Sequence, residues 1–438
     1  MGFTFRVLAA VTLLGLISCN QNRGSENGLV SNPTNVVRLE QSGSGYRLTR
    51  NSKPFFIKGG AGLQHFDKLK AAGGNSIRIW TTEYADEVLN AAHQQGLVVM
   101  LGLWIKPARE GIDYYDPEAL QTQQASIREQ ILRYRNHPAL LMWNVGNEYD
   151  IEAPSPKVFQ AVNAIAKMIH ELDPNHPVTT TILANPNSVD HFINLCSDVD
   201  ILSINVFAGL DYFPRLLDKH GLTKPYIVTE FGAKGHWEAP YTAWKAPLEQ
   251  TSTAKAGFIL PRYRASIATD TAHCLGGYVF FWGTKYEQTT TWFSLFGAKG
   301  EKTATVDLMQ YLWTGKYPRN RAPEIGRLRF AGGYGTNNLQ PQAGSLQDAS
   351  VTASDIEGDS LHVVWQVFPD NNLLGRNKKK DIAPEEIPNS IIAAHGLHAM
   401  VRVPKKPGPY RLFVTIYDGK GSIATANAPF YSRIKSTD

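Results

Sequence analysis

Eight apolar, β-rich runs separated by helical patterns predict an α/β fold, a (β/α)8 barrel, followed by a small all-β unit. Three observations carry that expectation. The runs, at residues 55–59, 75–80, 97–104, 140–147, 177–182, 200–207, 225–231 and 275–282, are continuously apolar rather than alternating. That suits parallel strands covered on both faces. The segments between them carry helix start and stop signals, so strand and helix alternate as in a TIM barrel. After residue 315 the pattern changes to strict alternation, as in Leu361, Val363, Trp365, Val367 and again in Tyr410, Leu412, Val414, Ile416. Such alternation marks half-buried antiparallel strands. A doubly wound open sheet is the competing architecture, but no glycine-rich phosphate fingerprint follows the first run.

Taken in order, residues 1–19 read as a targeting segment. Arg6 supplies positive charge, residues 7–17 are apolar, and Leu16-Ile17-Ser18-Cys19 resembles a bacterial lipobox. Cleavage there would leave Cys19 as a lipidated amino terminus, making this a cell-envelope lipoprotein with one lipid anchor as its membrane attachment. The other reading is a soluble secreted protein with an incidental cysteine. Residues 20–35 are polar, with Gly, Ser and Pro, and read as a flexible tether.

The barrel unit is expected over residues 36–315. Residues 37–39 and 46–48 flank Ser42 to Gly45 and suggest a hairpin that plugs the barrel floor. Thr82 is read as the cap of a helix ending near Gln95, before Gly96. Asp116-Pro117-Glu118 opens a helix to Arg135. Ser155-Pro156 opens another, with Val158, Val162, Ile165 and Ile169 on one face. Later helices are expected over residues 212–220, 256–271 and 303–312. A linker at 316–322 leads to residues 323–438, read as an immunoglobulin-like sandwich with Trp365 in its core, a spacer rather than a sugar-binding module.

Composition narrows the function. Of the 438 residues, 43% are hydrophobic, enough for a sizeable core, and the net charge is only +5. The longest basic run, Lys378-Lys379-Lys380, fits a solvated loop better than a nucleic-acid surface. Aromatics make up 11%, and nine residues are Trp, which suits a sugar binder, although large barrels also use Trp in their cores. Besides Cys19 there are Cys196 and Cys274. They precede strands six and eight, with strand seven between, beyond disulfide reach. Two free, buried thiols are expected.

Chemistry concentrates on two glutamates. Glu148 follows Trp143-Asn144-Val145-Gly146-Asn147, and Glu230 lies in Ile227-Val228-Thr229-Glu230-Phe231-Gly232. Each sits at the end of a buried run, where an ionisable group is costly unless used. In a barrel the carboxyl ends of strands four and seven open into one mouth. Two carboxylates facing one cleft are what glycosidic cleavage requires.

With Asn147-Glu148 after strand four, Glu230 after strand seven, Trp282 after strand eight and Arg78 near the end of strand two, the chain resembles the clan A glycoside hydrolases from about Pro54 to Gly315. Within the clan the resemblance is to family 2 and family 5-like barrels; the large amino-terminal sandwich modules of family 2 β-galactosidase-like enzymes do not appear in this sequence, so the barrel reads as nearer the compact, family 5-like version. The resemblance implies a retaining hydrolase of β-linked oligo- or polysaccharides, with Glu148 as acid/base and Glu230 as nucleophile. It also implies that Asn147 donates to the sugar 2-hydroxyl and that Trp282 floors the subsite. Arg78 would hold Glu230 charged. Trp104 and Asn205, at the ends of strands three and six, are further substrate-binding candidates. The clan's tyrosine near the end of strand six is replaced here by Phe207, so either Tyr212 or another group donates to Glu230, or that hydrogen bond is absent.

Weaker candidates are the loop Lys234-Gly235-His236-Trp237, Tyr84 and His65. No cofactor or metal is expected, since the twelve His include no HxH or HExxH. Asp355, Glu357 and Asp359 read as an acidic turn rather than a calcium site. A transglycosylase with the same residues and a non-catalytic glycan-binding lipoprotein are the competing functions.

Overall fold

A computed structural model describes residues 35–151, 155–370 and 383–434. The lipobox with Cys19, most of the tether and Lys378–Lys380 lie outside the described residues. The chain opens with an antiparallel hairpin, β1 (Val37–Ser42) and β2 (Gly45–Arg50), and a short β3 (Lys53–Pro54). Eight parallel strands follow: β4 (Ile57–Ala61), β5 (Ser76–Ile79), β6 (Val98–Leu103), β7 (Leu140–Asn147), β8 (Val178–Leu183), β9 (Ile201–Asn205), β10 (Tyr226–Gly232) and β11 (Cys274–Phe280). They close into a barrel in which β11 pairs with β4.

The helices between strands are α1 (Phe66–Ala71), α2 (Ala85–Gln94), α3 (Pro117–Tyr134), α4 (Pro156–Leu172), α5 (Pro186–Leu195), α6 (Phe213–Lys219), α7 (Ser252–Tyr263) and α8 (Ala304–Thr314). Their apolar faces pack on the outside of the strands in one continuous core. Local chemistry explains where they start. Asp116 accepts the N–H of Glu118 and Ser155 that of Lys157, each ahead of a first-turn proline. The expected cap at Thr82 is not made: its hydroxyl goes to Gln130, and α2 begins at Ala85. The helix expected over 256–271 starts earlier, at Ser252 under a Thr251 cap, and passes into a π-helical stretch at Arg264–Ala268. Helices α1 and α5 were not expected; Asn185, which caps α5 through Ser188, was the overlooked signal.

Inside the barrel a second core runs from floor to mouth. Val37 and Leu48 of the hairpin pack with Ile57, Val98, Met100 and Leu141. Tyr46 donates its N–H to the Ala272 carbonyl at 2.7 Å, so the hairpin closes the amino-terminal end. Cys196 and Cys274 are unpaired and buried, and burial pushes both thiols up to about 12.

The carboxyl-terminal part is all β. Short strands β12 (Glu324–Ile325), β13 (Arg329–Phe330) and β14 (Gly333–Tyr334) lead to β15 (Leu346–Ser350), β16 (Ala353–Ser354) and β17 (His362–Pro369). Next come β18 (Ile391–His395), β19 (His398–Arg402), β20 (Gly408–Tyr417) and β21 (Ile423–Ser432). The larger sheets are β14-β13-β15-β19-β18 and β17-β20-β21, antiparallel throughout, and residues of both share one core that includes Trp365.

This unit is hydrogen-bonded to the barrel. Arg411, buried with Asp370, reaches the Pro247 carbonyl at 3.0 Å. Asn427 donates to Glu249 at 2.6 Å, while Glu249 also takes Lys255 at 2.6 Å and the hydroxyls of Thr289 and Thr291. Glu249 and Lys255 are both buried. Removing one partner of such a pair strands the other charge. Glu249→Ala is therefore expected to cost about 3–5 kcal/mol of stability, read from urea unfolding.

Candidate active site

The backbone of β7 throws Asn147 and Glu148 into the barrel mouth. Gly146 has φ 76°, and a Cβ there would lie 2.6 Å from Cγ1 of Ile105. Only glycine permits both. Asn144 fastens the turn, donating to the Gly146 carbonyl at 3.2 Å and accepting the Thr181 hydroxyl at 2.9 Å. Glu148 itself adopts φ 49°, pinned by its N–H to the Thr181 carbonyl at 3.0 Å. A non-glycine residue held there costs on the order of 1–3 kcal/mol, and such strain concentrates at functional sites.

Glu230 comes from β10, in register with Asn205 of β9. Its Oε1 accepts two hydrogen bonds, from Nη1 of Arg78 at 2.7 Å and from the indole N–H of Trp80 at 2.8 Å. Arg78 is fully buried, and its Nη2 reaches Oδ1 of Asn147 at 2.6 Å. Asn205 donates to Oε1 of Glu148 at 2.7 Å and to Asn147 at 3.2 Å, while accepting the Thr229 hydroxyl. Glu230, Arg78, Asn147, Asn205 and Glu148 thus form one connected network. Both glutamates line a cavity of about 440 Å³, together with Trp80, Asn147, Phe280 and Lys285.

The two carboxyls sit in unlike surroundings. Glu148 is pushed up to about 7, first by burial and then by the charge of Glu230; Asn205 and Arg78 offset part of this. Glu230 faces a guanidinium and an indole N–H.

Two expected substrate contacts need correcting. Trp282 is fully buried away from the mouth: its indole N–H goes to the His65 carbonyl at 3.1 Å, and its ring packs on Phe296 and Trp313. It lies two residues beyond β11, where the chain has turned toward α8, and the rings at this strand end that face the cavity are Phe280 and Phe281. Trp104 does not line the cavity around the glutamates either; its N–H points at Glu110 at 3.4 Å.

Of the weaker candidates, Trp237 lines the cavity, His236 pairs with Glu287 at 3.3 Å, and Lys234 sits over the Phe258 ring. His65 packs on Phe296, and Tyr84 is half exposed. The carboxylates of Asp355, Glu357 and Asp359 approach one another, yet Asp355 accepts two backbone N–H groups and Lys420 pairs with Asp359. This group lies far along the chain from the glutamates.

Sequence reasoning missed Trp80. It supplies the donor that the tyrosine-to-Phe207 replacement removes, whereas Tyr212 is 64% exposed and lines a neighbouring cavity. The signal was present: Trp80 lies two residues after Arg78, hence on the same strand face.

A closed (β/α)8 barrel with glutamates at the ends of its fourth and seventh strands defines the clan A glycoside hydrolase class. The chain belongs to glycosyl hydrolase family 2: residues 63–291, just over half its length, match the profile described as "Glycosyl hydrolases family 2, TIM barrel domain". Of the family 2 and family 5-like resemblances, the match bears out family 2. Among curated proteins, it is 27% identical over 245 residues to a β-glucuronidase of Streptococcus agalactiae, covering 44% of this chain and 40% of that protein. It is 30% identical over 151 residues to the Sus scrofa β-glucuronidase, covering 30% of this chain and 22% of that one. The chain thus spans well under half the length of these relatives. Among solved structures, a β-D-glucuronidase of Dictyoglomus thermophilum superposes with TM-score 0.50 at 20% identity, over 65% of this chain and 54% of that one. That likeness concerns the fold.

Proposed function

We propose that this chain is a retaining β-glycosidase in which Glu230 is the nucleophile and Glu148 the acid/base. The observation that carries the reading is the pairing of unlike carboxyls in one cavity: one held by two N–H donors, the other retaining its proton to about 7. In the first step an oxygen of Glu230 bonds to the anomeric carbon, the glycosidic C–O bond breaks, and the Glu148 proton passes to the leaving oxygen. In the second, water gives a proton to Glu148 and its oxygen to the anomeric carbon, releasing Glu230. A sugar hydroxyl in place of that water gives transglycosylation. Arg78 and Trp80 position Glu230, Asn205 positions Glu148 and Asn147, and Asn147, which lines the cavity, is read as the contact to a sugar hydroxyl.

The relatives' activity makes β-glucuronides one member of any substrate panel. In this cavity, however, Nζ of Lys285 lies 3.1 Å from Glu287, whose other oxygen takes His236. An acidic sugar meets a cation already neutralised. Neutral β-hexosides are therefore expected to be cleaved at least about tenfold faster in kcat/KM than the β-glucuronide. A panel of 4-nitrophenyl β-glycosides and β-glucans, run with wild type and Glu230→Ala, tests both points. Loss of hydrolysis in the mutant supports the reading; binding without turnover by wild type favours a glycan-binding protein.

Activity should also report the Glu148 proton. Because burial raises its proton affinity, kcat/KM is expected to fall as pH rises through about 7. Unfolded, the same group titrates near 4.5. Between about 4.5 and 7 the folded chain keeps a proton that the unfolded chain releases, so stability declines with rising pH across that window. Glu148→Gln removes this term. Its gain in Tm over wild type should be nil near about pH 4 and greatest near about pH 8, by calorimetry.

We also read the all-β unit as an immunoglobulin-like sandwich and Cys19 as the site of a lipid anchor in the cell envelope. Metabolic labelling with a fatty acid, lost in Cys19→Ala, tests the anchor.

A further inference from the structure

Beside the catalytic cavity lies a second one, of about 690 Å³, at the ends of β7, β8 and β9. The two share Glu148, Phe207 and Trp237, but Glu230 lines only the first. We infer that this second cavity receives the leaving group, and that it takes an apolar aglycone, an aryl or long alkyl group, rather than a second sugar. The inference rests on the glycosidase reading and deepens it.

The direction follows from the chemistry. The nucleophile must lie under the anomeric carbon, so the glycone occupies the cavity that holds Glu230. The acid must touch the bridging oxygen, so whatever that oxygen carries lies on the far side of Glu148. The cavity found there is the second one.

Its ligand class follows from the wall. Apolar and aromatic side chains form most of it, among them Ile151, Leu183, Phe207, Tyr212, Leu216 and Trp237. The side-chain amides of its lining and the Glu238 carboxylate are already engaged. Asn205 serves Glu148 and Asn147. Asn185 is bound to Ser188 through both ends of its amide. Glu238 accepts the N–H groups of Ala208 at 3.1 Å and Gly235 at 2.8 Å. A second pyranose would bring hydroxyls that find few partners, which is unfavourable. An apolar group finds rings and aliphatic carbon. Tyr212 and Trp237 are 64% and 53% exposed, unusual for large rings, and become covered once such a group enters.

The test compares kcat/KM of the full chain for methyl, butyl and octyl β-glycosides of its preferred glycone with that for the matching β-linked disaccharide. Each buried methylene multiplies affinity about three- to fourfold, so with about four of the additional methylenes covered octyl should exceed methyl by on the order of a hundredfold, and should exceed the disaccharide. Tyr212→Ala and Leu216→Gln should each narrow the octyl-to-methyl ratio at least about fivefold. A second measurement follows binding of octyl and methyl β-D-glucoside to Glu230→Gln by tryptophan fluorescence. Hydrolysis with no chain-length dependence, or a disaccharide preferred to octyl, overturns the apolar pocket and leaves the glycosidase reading standing. Octyl glycoside bound by wild type with no turnover of any β-glycoside overturns the glycosidase reading, and the leaving-group assignment with it.

Discussion

Glu230→Ala is expected to lower kcat/KM by on the order of 10⁴-fold or more, on good and poor leaving groups alike. No other described carboxylate can take over. Glu148 lines the same cavity but is the proton donor of this mechanism, and Glu287 is tied to Lys285 and His236. The shortened side chain also opens space beside Trp80 and Arg78. Added azide or formate should enter it and attack the anomeric carbon from the nucleophile's side, giving product of inverted configuration. Wild type should retain configuration, read by NMR of the first-formed sugar. Inversion by wild type, or turnover by Glu230→Ala within about tenfold of wild type, would sink the assignment.

Glu148→Ala should behave differently, because acid catalysis matters only where the leaving oxygen needs a proton. General acid catalysis contributes about 10²- to 10⁴-fold, so alkyl glycosides should lose that much. A dinitrophenyl glycoside, whose leaving group departs as an anion, should form its glycosyl-enzyme at nearly the wild-type rate. The second step then becomes slow, and a burst of dinitrophenol should precede the steady state. The fall in kcat/KM above about pH 7 should vanish with the carboxyl. Equal losses on both substrate types would remove Glu148 from proton transfer.

Much of the barrel was legible in sequence, for a physical reason. Parallel strands are buried on both faces, so each reads as an unbroken apolar run, and the run at residues 140–147 coincides with β7. Caps set by a single local hydrogen bond, such as Asp116, were also readable. Thr82 failed because its hydroxyl had a distant partner, Gln130, that no local pattern encodes. Trp282 failed for a related reason. The direction of a side chain just past a strand end depends on where the following loop goes, and here His65, Phe296 and Trp313 hold it outside the mouth. The contacts among Arg78, Trp80, Asn147, Asn205 and Glu230 join residues far apart in sequence and became visible only through the closed sheet.

The shared carboxylate of Glu249 has a consequence for grafting. It receives Asn427 from β21 and, on its other side, Thr289 and Thr291 from the segment that continues from Lys285 and Glu287 at the cavity wall. A chimaera that exchanges the final hundred or so residues for a foreign module would leave this acid short of a donor beside the very segment that shapes the sugar's seat. Such swaps should succeed only when the incoming strand brings its own amide to that point, which makes the junction a matched joint and not a neutral splice.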